Sequence, residues 1–395
     1  MRMATAVLIG LVIGSGLVSC GTPTRDRARE PVARPRPGET YVVARSEGRQ
    51  WTGVAVTRRG RVFVSYPRWE GPIDNSVEEV LPDGTRVAFP DEEWNSWRPG
   101  DDPASKFVCV QAVYVDAKDR LWVVDPASPQ MAGVVSGGAK LVEISPATRR
   151  VLRVIRFDER IAPPGSYLND VRVDTEREFA YITDSGTGGI VVVDLTTNQA
   201  WRRLDTSPST KADPAVILSV GGRRLVLGGE EGNGEFLRVH VDGLALSPDG
   251  EWLYYQALTG RTLYRVPAAL LRDPEVSDLR VDGAVENLGL TVATDGMAMD
   301  AAGNLYFTAI ERDAIVYRTP QGRMGILAQD ERLRWPDSFA ISGGGAGPWL
   351  YVTTSQIHLT PVFRADGQMP QTPYYVFRIG LMPQSERGWE RVSGE

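Results

Sequence analysis

Short apolar strands recur along the chain in pairs, and each pair is led by a polar residue. The stretch 168–174 (LNDVRVD) alternates polar and apolar positions, and 179–184 (FAYITD) follows it after a polar turn. Residues 295–300 (DGMAMD) and 303–307 (GNLYF) form a similar pair. Alternation with a period of two, interrupted by Asp and Gly, is typical of β-hairpins. A hairpin that recurs through a whole chain predicts a repeat architecture.

The spacing of the pairs predicts the number of units. Six copies are marked by the residue that leads each one: Gly53, Gln111, Asn169, Asp242, Asp295 and Asp337. The intervals average about 57 residues, and a four-stranded propeller blade needs roughly 40–50. We therefore predict an all-β, six-bladed β-propeller over residues 40–382. A strand near 41–45 should pair with one near 374–379 and close the ring, which leaves no exposed sheet edge.

The first twenty residues have the pattern of a targeting segment. A short basic start precedes an apolar run that ends at Cys20 and is too short to span a bilayer comfortably. Small residues flank the cysteine, as Ser19 and Gly21, and this resembles a bacterial lipobox. We expect Cys20 to be the lipidated N-terminus of the mature protein. The alternative is an ordinary signal peptide in which Cys20 is incidental.

The same pattern predicts the domain organisation and the location. Residues 1–19 form the signal peptide, 20–39 a disordered tether rich in Arg and Pro, and 383–395 a C-terminal tail. Lipidation would anchor the protein to a membrane. The lipobox resemblance implies an outer-membrane lipoprotein facing the periplasm, or else a secreted protein.

Composition excludes several function classes. The net charge is −6, and no Lys/Arg block stands out in the body of the chain, so nucleic acid is not an expected partner. Two histidines in 395 residues, and no HExxH, CxxC or GK[ST] motif, argue against zinc hydrolases and kinases. The remaining cysteine, Cys109, is expected to be buried and inert. We expect a monomer with a small-molecule ligand.

The residues that lead the repeats are the candidate site. Inner strands of a propeller line its axis, so we expect the following residues to converge at the channel mouth: Gln111, Asn169, Asp170, Asp242, Asp295 and Asp337. Carboxylates brought together repel unless a proton, a cation or a basic ligand intervenes. An oxygen set from Asn169, Asp242 and Asp295 suits Ca²⁺. Two alternatives remain open: convergence without metal, and local roles in turns, which Asp-Gly and Asn-Asp pairs often adopt.

Two residues are candidate proton acceptors. His240 lies two positions before Asp242, and residues two apart on a strand share a face. A histidine oriented by a carboxylate is a plausible general base. Asp170 is the second candidate. The alternative for His240 is a structural or solvent-facing role.

The chain resembles the major royal jelly protein/yellow family over about residues 51–362. The sharpest echo runs from 167 to 194 (YLNDVRVD, FAYITDSG and GIVVVD), with others at 263–272 and 335–339. The resemblance implies a six-bladed propeller, secretion and a ligand pocket at one end of the channel. We therefore expect a binding module for an aromatic or amine ligand.

A looser similarity connects the chain to gluconolactonase/regucalcin-like propellers, which use calcium. It rests on Asn169-Asp170, Asp242-Gly243 and Asp295-Gly296. One departure matters: the first-blade Glu of those enzymes aligns near Thr52-Gly53, where no carboxylate stands. The alternatives to a binding module are thus a metal-dependent lactonase or esterase, a dopachrome-type isomerase, and an envelope scaffold.

Overall fold

The chain is described by a computed structural model over residues 36–228, 234–342, 348–363 and 372–381. The predicted signal peptide, Cys20 and most of the predicted tether and tail lie outside these ranges. The described residues are nearly all strand and turn. Their helices are single turns: α1 (Glu92–Asn95), α2 (Ala268–Arg272), α3 (Asp278–Asp282) and the 3₁₀ turns Pro129–Met131, Pro208–Thr210 and Ile357–Leu359. Pro267 directly precedes α2, a position where its missing N–H costs nothing.

Six four-stranded antiparallel sheets, the blades, make up the fold, and the prediction of a six-bladed β-propeller is confirmed. The strands are β1 (Thr40–Ser46), β2 (Val54–Val56), β3 (Val62–Ser65), β4 (Val77–Val80), β5 (Arg86–Ala88), β6 (Ala112–Val115), β7 (Leu121–Asp125), β8 (Lys140–Ile144), β9 (Val151–Arg156), β10 (Leu168–Asp174), β11 (Phe179–Asp184), β12 (Ile190–Asp194), β13 (Gln199–Arg203), β14 (Ser219–Val220), β15 (Arg223–Arg224), β16 (Val241–Leu246), β17 (Trp252–Ala257), β18 (Thr262–Pro267), β19 (Glu286–Leu290), β20 (Thr294–Met299), β21 (Leu305–Ala309), β22 (Ala314–Arg318), β23 (Met324–Gln329), β24 (Pro336–Ser342), β25 (Trp349–Thr354) and β26 (Tyr374–Gly380).

Each blade is a run of four neighbouring strands whose first member is innermost. Blades 1 to 3 are β2–β5, β6–β9 and β10–β13, and blades 4 and 5 are β16–β19 and β20–β23. The strands β14 and β15 form a separate hairpin in the long connection between blades 3 and 4.

Blade 6 joins the two ends of the described chain. It consists of β24, β25 and β26, and β1 completes it as the outer strand. Tyr41 pairs with Arg378 and Arg45 with Tyr375 in antiparallel register. The predicted ring closure is therefore confirmed.

Apolar side chains between blades form the core. Trp122 and Leu141 of blade 2 pack with Leu168, Val171 and Ile182 of blade 3 in one buried cluster. All seven residues of β10 are buried, because a neighbouring blade covers each of its faces. Burial of each Val, Leu or Ile side chain contributes roughly 1.5–3 kcal/mol, so the blades hold one another in place.

A β-bulge recurs at the start of the inner strands and sets the direction of their polar residues. Register breaks between Leu168 and Val171 in blade 3, and at the corresponding positions of blades 4, 5 and 6. The Asp-Gly pairs therefore lie inside strands, and the alternative that they form turns is wrong. Bulges leave extra residues unpaired and re-aim their side chains, here towards the propeller axis.

Close packing between inner strands explains the glycines in these pairs. A Cβ atom on Gly243 would lie 2.5 Å from the carbonyl oxygen of Asp295, and one on Gly296 would lie 2.2 Å from that of Asp337. Each glycine thus lets the bulge of the next blade approach the backbone. A tight ring of bulges around the channel is the result.

Candidate ligand site in the central channel

One position at or just before the start of each inner strand contributes to a ring around the channel, and we call it the ring position. Its occupants are Thr52, Gln111, Asn169, Asp242, Asp295 and Asp337, and all are buried. In blade 1 the ring position is Thr52. The Thr52 amide donates to the Ser65 carbonyl and the Gly53 carbonyl accepts from the Ser65 amide, so Thr52 and Gly53 pair with the second strand of their blade. The sequence analysis had marked Gly53 instead, one residue away. The ring has a neutral half in blades 1 to 3 and an acidic half in blades 4 to 6.

Hydroxyl groups of the second strands hold the bulges in place. Thr183 Oγ1 accepts a hydrogen bond from the Asp170 amide and donates one to the Asp242 carbonyl of the next blade. Thr308 Oγ1 likewise accepts from the amides of Asp295 and Gly296. The backbone groups that a bulge leaves unpaired are thereby satisfied, which fixes the direction of the ring residues.

The structure brings the acidic half and Asn169 together. Asn169 Nδ2 donates to Asp242 Oδ2 at 2.8 Å and to Ser185 Oγ at 3.2 Å. Asp242 also interacts electrostatically with Asp295 and Asp337. The expected convergence of these residues is thus present in the geometry. The catalytic and ligand-binding roles assigned to them remain predictions.

Burial dominates the electrostatics of this cluster. It raises the pKa of Asp242 well above the usual range, and the charges of Asp295 and Asp170 add to the effect. Burial also raises the pKa of Asp295 to about 7, against the hydrogen bond from Trp335. The pKa of Asp337 is raised well above normal by burial and then by the Asp295 charge. Desolvation disfavours the charged carboxylate, so burial shifts these side chains towards their protonated forms.

Two carboxylate oxygens in the acidic half lack a partner. They are Asp242 Oδ1 and Asp337 Oδ2, in side chains that are each only 2% exposed. The remaining oxygens are engaged: Asp337 Oδ1 accepts from Ser338 Oγ at 3.1 Å, and Asp295 Oδ2 accepts from the Trp335 indole at 2.6 Å. Buried acceptors are normally bonded, so a donor must come either from a proton held within the cluster, such as one shared by Asp242 and Asp295, or from a ligand.

Arg172 is a buried cation beside Asp170, and the sequence analysis did not single it out. Its guanidinium lies 3.6 Å from Asp170 Oδ2 and donates to the carbonyl of Val171 at 2.7 Å. It also donates to the carbonyl of Met297 in blade 5 and lies over the ring of Tyr114 in blade 2. The side chain therefore crosses the channel beneath the acidic half. Burial raises the pKa of Asp170, and the charge of Arg172 opposes that shift.

The neutral half carries a chain of hydrogen bonds that includes two aromatic side chains. Tyr167 donates its hydroxyl proton to Gln111 Oε1 at 3.0 Å and accepts from the half-buried Trp69 indole at 2.6 Å. On the other side, Trp335 stacks on His358 with ring centroids 5.9 Å apart. Sequence reasoning missed Tyr167, Trp69 and Trp335 as channel residues. The only signal was that Tyr167 and Trp335 each directly precede an inner strand.

His240 lies outside this hydrogen-bonded network. Its Nδ1 accepts a hydrogen bond from the Ala212 amide at 2.9 Å, and not from a carboxylic acid. Burial lowers the pKa of His240, and the charge of Lys211 lowers it further. The histidine is therefore neutral at physiological pH, and its role as a general base stays a prediction.

The donor set does not match a calcium site. Within the described ranges, no three His, Cys, Asp or Glu side chains approach closely enough to share a metal ion. Asn169 turns its amide NH₂ towards Asp242, although a metal would require the amide oxygen. Thr52 holds the first-blade position and donates its hydroxyl to the Gln111 carbonyl at 2.8 Å. The expected set Asn169, Asp242 and Asp295 is close together, but it is not arranged for Ca²⁺.

The sequence model of the major royal jelly protein family matches residues 108–359, more than half of the chain. The chain belongs to this family. It is 28% identical over 222 residues to major royal jelly protein 5 of Apis mellifera, covering 53% of this chain and 34% of that protein. It is 25% identical over 160 residues to dopaminechrome tautomerase of Drosophila melanogaster, covering 36% of this chain and 33% of that protein. The chain thus spans about a third of the length of each relative.

A solved structure supports the fold of this family member. The calcium-binding protein regucalcin from Agrobacterium tumefaciens aligns with a TM-score of 0.51 and 16% identity, covering 89% of this chain and 96% of that one. At this identity the likeness concerns the fold alone. The propeller architecture and the more distant resemblance to regucalcin-like propellers are confirmed.

Proposed function

We propose that this royal jelly-type propeller binds a small amine-bearing ligand at the acidic end of its channel. The observation that carries the proposal is the pair of unpartnered buried oxygens, Asp242 Oδ1 and Asp337 Oδ2. A buried polar atom without a partner costs about 1–3 kcal/mol, so a ligand that donates to either oxygen recovers part of that energy. A primary ammonium group offers three N–H donors and a positive charge in one compact head.

The partly buried Trp69, rather than the fully buried Trp335, is the aromatic side chain that can face a ligand with a flat body. Trp335 is held by Asp295 and stacks on His358, and Trp69 is held by Tyr167 on the opposite side. These contacts fix the planes of the indoles before a ligand arrives. Rigid aromatic walls bind planar groups at a low entropic cost and attract cations through their faces. An arylalkylamine combines both properties.

An ammonium group fits the geometry better than Ca²⁺ does. Calcium requires six to eight oxygens at roughly 2.3–2.6 Å, and the described side chains do not assemble them. An ammonium nitrogen needs only two or three acceptors at about 2.8 Å. Regucalcin is described as a calcium-binding protein, but the ring position that Thr52 occupies offers no carboxylate. A calcium-dependent lactonase or esterase is therefore the less favoured alternative.

Titration calorimetry with tyramine, tryptamine and 3-phenylpropylamine tests the proposal. The wild-type chain should bind at least one of them, and Asp242→Asn and Asp337→Asn should each weaken binding about tenfold or more, because a charge-assisted bond contributes roughly 1.5–3 kcal/mol. The matched control is Asp158→Asn, since Asp158 is exposed and pairs only with Arg160 nearby.

Two outcomes would refute amine binding. One is the absence of heat with all three amines at millimolar concentration. The other is equal binding by an amine and by its matching alcohol, since the site would then not recognise the ammonium group. A rise of melting temperature with Ca²⁺ that Asp242→Asn abolishes would instead favour the calcium alternative.

Proton transfer is a second candidate function, and Asp295 is the observation that favours it. With a pKa of about 7, this buried carboxyl can both accept and donate a proton near neutral pH. A tautomerase moves a proton within its substrate, and a relative of this chain carries that name. Asp170 and His240 remain the other candidates for the base.

Loss of the visible absorbance of dopaminechrome measures this activity. Asp295→Asn should reduce the rate at least about 100-fold, as general acid–base catalysis contributes typically 10²–10⁴-fold. Comparison with His240→Gln and Asp170→Asn would identify the base. No turnover by the wild-type chain would remove the isomerase function and leave amine binding intact.

Membrane attachment through Cys20 remains part of the proposal. Cys20 lies outside the described residues, and the lipobox pattern alone supports it. Among the described residues, every helix falls short of the length and apolarity that a membrane span requires. Expression of the full chain and of Cys20→Ala in a bacterial host tests the anchor. The variant should appear in the soluble periplasmic fraction, and sedimentation of both forms with membranes would contradict lipidation.

A further inference from the structure

The channel has a cavity on the side of Arg172 away from the ring position. It has a volume of about 590 Å³ and lies where the inner strands end. We call it the basal pocket. Its wall includes inner-strand residues of all six blades: Val56, Tyr114, Arg172, Leu246, Met299 and Ile341. Leu246, Met299 and Ile341 each follow the ring-position aspartate of their blade by four residues, roughly 13 Å along a strand. The basal pocket is therefore separate from the acidic end.

The wall of the basal pocket is mainly apolar and open to an arriving molecule. Tyr114, Leu246, Met299 and Ile341 are each only partly buried, although the inner strands are otherwise buried almost throughout. Half-exposed apolar side chains that converge on one cavity are typical of ligand pockets. The volume lies within the range of roughly 300–1,000 Å³ that small ligands occupy.

Arg172 gives the basal pocket a positive floor. The residue is 8% exposed, and its guanidinium donates only to the carbonyls of Val171 and Met297, while the nearest carboxylate oxygen, on Asp170, lies 3.6 Å away. A planar guanidinium can still donate hydrogen bonds to a carboxylate on its open side. The charge is therefore only partly compensated at this end of the channel.

The other charged groups at this pocket are already paired or lie at its rim. Asp116 accepts four hydrogen bonds, including those from Arg120 Nε and the Trp122 indole, and so adds little attraction for a cation. At the rim, Asp119 accepts from the Arg58 amide and lies beside the positive Arg58 side chain. Arg172 is thus the charge that faces the apolar interior.

We propose that the basal pocket is a second binding site, for a small carboxylic acid with an apolar or aromatic body. The carboxylate meets Arg172, and the body packs against Leu246, Met299 and Ile341. Tyr114, whose ring lies 5.2 Å from the guanidinium carbon, holds Arg172 in place from below. The two ends of the channel then select opposite charges: an ammonium at the ring of aspartates and a carboxylate at Arg172.

Three ligands with one body and three heads test this site: 3-phenylpropionate, 3-phenylpropanol and 3-phenylpropylamine. Calorimetry should show that the wild-type chain binds the acid at least about tenfold more tightly than the alcohol, given the strength of charge-assisted bonds. With methyl-labelled methionine, the acid should shift the Met299 signal. The Met324 signal should not move, because Met324 lies on an outer strand and is 42% exposed.

Two different variants test whether the acid binds in the basal pocket, so that the test does not depend on one variant that could fail to fold. Arg172→Gln should abolish the preference for the acid over the alcohol. If that variant is unstable, Ile341→Asp places a negative charge in the wall and should weaken acid binding about tenfold or more. Ile326→Asp is its matched control, since Ile326 lies on the outer strand β23 and is 54% exposed. Asp242→Asn should leave acid binding unchanged.

The possible results separate this site from the amine site. Equal affinity for acid and alcohol, or no binding of the acid at millimolar concentration, would overturn the basal site. Loss of acid binding in Asp242→Asn, with retention in Ile341→Asp, would overturn it as well. Failure of amine binding, with the acid response intact, would remove the proposed function and leave the basal site standing.

Discussion

The two halves of the ring occupy equivalent positions of one fold and differ in chemistry. In blades 1 to 3 the ring position is neutral, and Thr52 and Asn169 are bonded to neighbouring blades. In blades 4 to 6 it is a buried carboxyl, and two carboxylate oxygens have no partner. The position is equivalent in both halves, since it lies at or just before the start of an inner strand in every blade. The comparison shows that the repeated backbone determines where the ring side chains point. The residue type at each ring position determines whether that side chain is neutral or acidic.

The pH dependence of stability should separate the halves most strongly. Asp295 has a raised pKa of about 7 in the folded chain, so the folded state binds more protons than the unfolded state between about pH 4 and pH 7. Its contribution to stability is present at low pH and is lost as the pH rises through 7. The free energy of unfolding of the wild type should therefore fall as the pH rises, and Asp295→Asn should escape this loss. When the pH is raised from 4.5 to 8, the variant's free energy of unfolding should gain about 3–4 kcal/mol relative to that of the wild type.

Denaturant titration at several pH values measures this gain. The comparison with wild type matters, because carboxyls with lowered pKa values, such as Asp184 beside Arg202, impose the opposite slope. Asp158→Asn is the control, since Asp158 is exposed. Parallel pH profiles of wild type and Asp295→Asn would show that Asp295 is charged in the folded chain across this range.

The close approach of bulges predicts the second largest effect. Gly296→Ala would place a Cβ atom 2.2 Å from a backbone oxygen of blade 6, so we expect a loss of about 3 kcal/mol in the free energy of unfolding. Gly48→Ala is the matched control, because a Cβ there meets nothing within 4 Å. A loss below about 0.5 kcal/mol, the scale of ordinary surface substitutions, would mean that the blades can move apart freely.

Extending the acidic half into blade 3 should destabilise the chain. Asn169→Asp replaces the NH₂ that donates to Asp242 by an oxygen, and two carboxylates then face each other at hydrogen-bond distance. We expect a loss of about 2 kcal/mol at pH 8, and a smaller one at pH 5, where the pair can share a proton. Thermal unfolding at both pH values, with the exposed Asn287→Asp as control, measures it. A loss that does not depend on pH would point to packing rather than charge.

The smallest effect should come from the neutral half itself. Thr52→Val keeps the shape of the side chain and removes the hydroxyl that donates to the Gln111 carbonyl. A typical buried hydrogen bond contributes about 1 kcal/mol, so the free energy of unfolding should fall by that amount with little change in amine binding. A strong effect on amine binding would show that the ligand reaches blade 1.

The sequence repeat made the fold predictable, whereas it made only part of the candidate site predictable. Alternation and spacing gave six blades, and the aromatic strand 374–379 gave the closure that Tyr41 and Arg378 make. The aspartates were found because they recur at one place in each repeat. Arg172, Tyr167 and Trp335 occur at one blade each, so no recurrence marked them. Their roles depend on contacts across the channel, which only the three-dimensional structure reveals.

The glycine after a ring aspartate shows why a pattern alone was ambiguous. Asp-Gly is a common turn pair, and turn formation was therefore an alternative for Asp242-Gly243 and Asp295-Gly296. Here the glycine instead allows a neighbouring strand to approach. Both a turn and a close approach of two strands require a residue without a side chain. They differ only in what lies beside the glycine, and the local sequence does not show that a strand of another blade lies there.

Blade 6 has a consequence for the order in which the chain folds. Its outer strand, Thr40–Ser46, is made first during synthesis, and its partner, Tyr374–Gly380, comes more than 300 residues later. Until then the first strand lacks this partner, and an unpaired strand edge favours association with other chains. Contacts of such long sequence separation also slow folding. A nascent chain that crosses a membrane would have to keep its first strand unpaired until its last one arrives, so we expect assistance by a holding chaperone to matter more for this propeller than for a protein whose first elements pair at once.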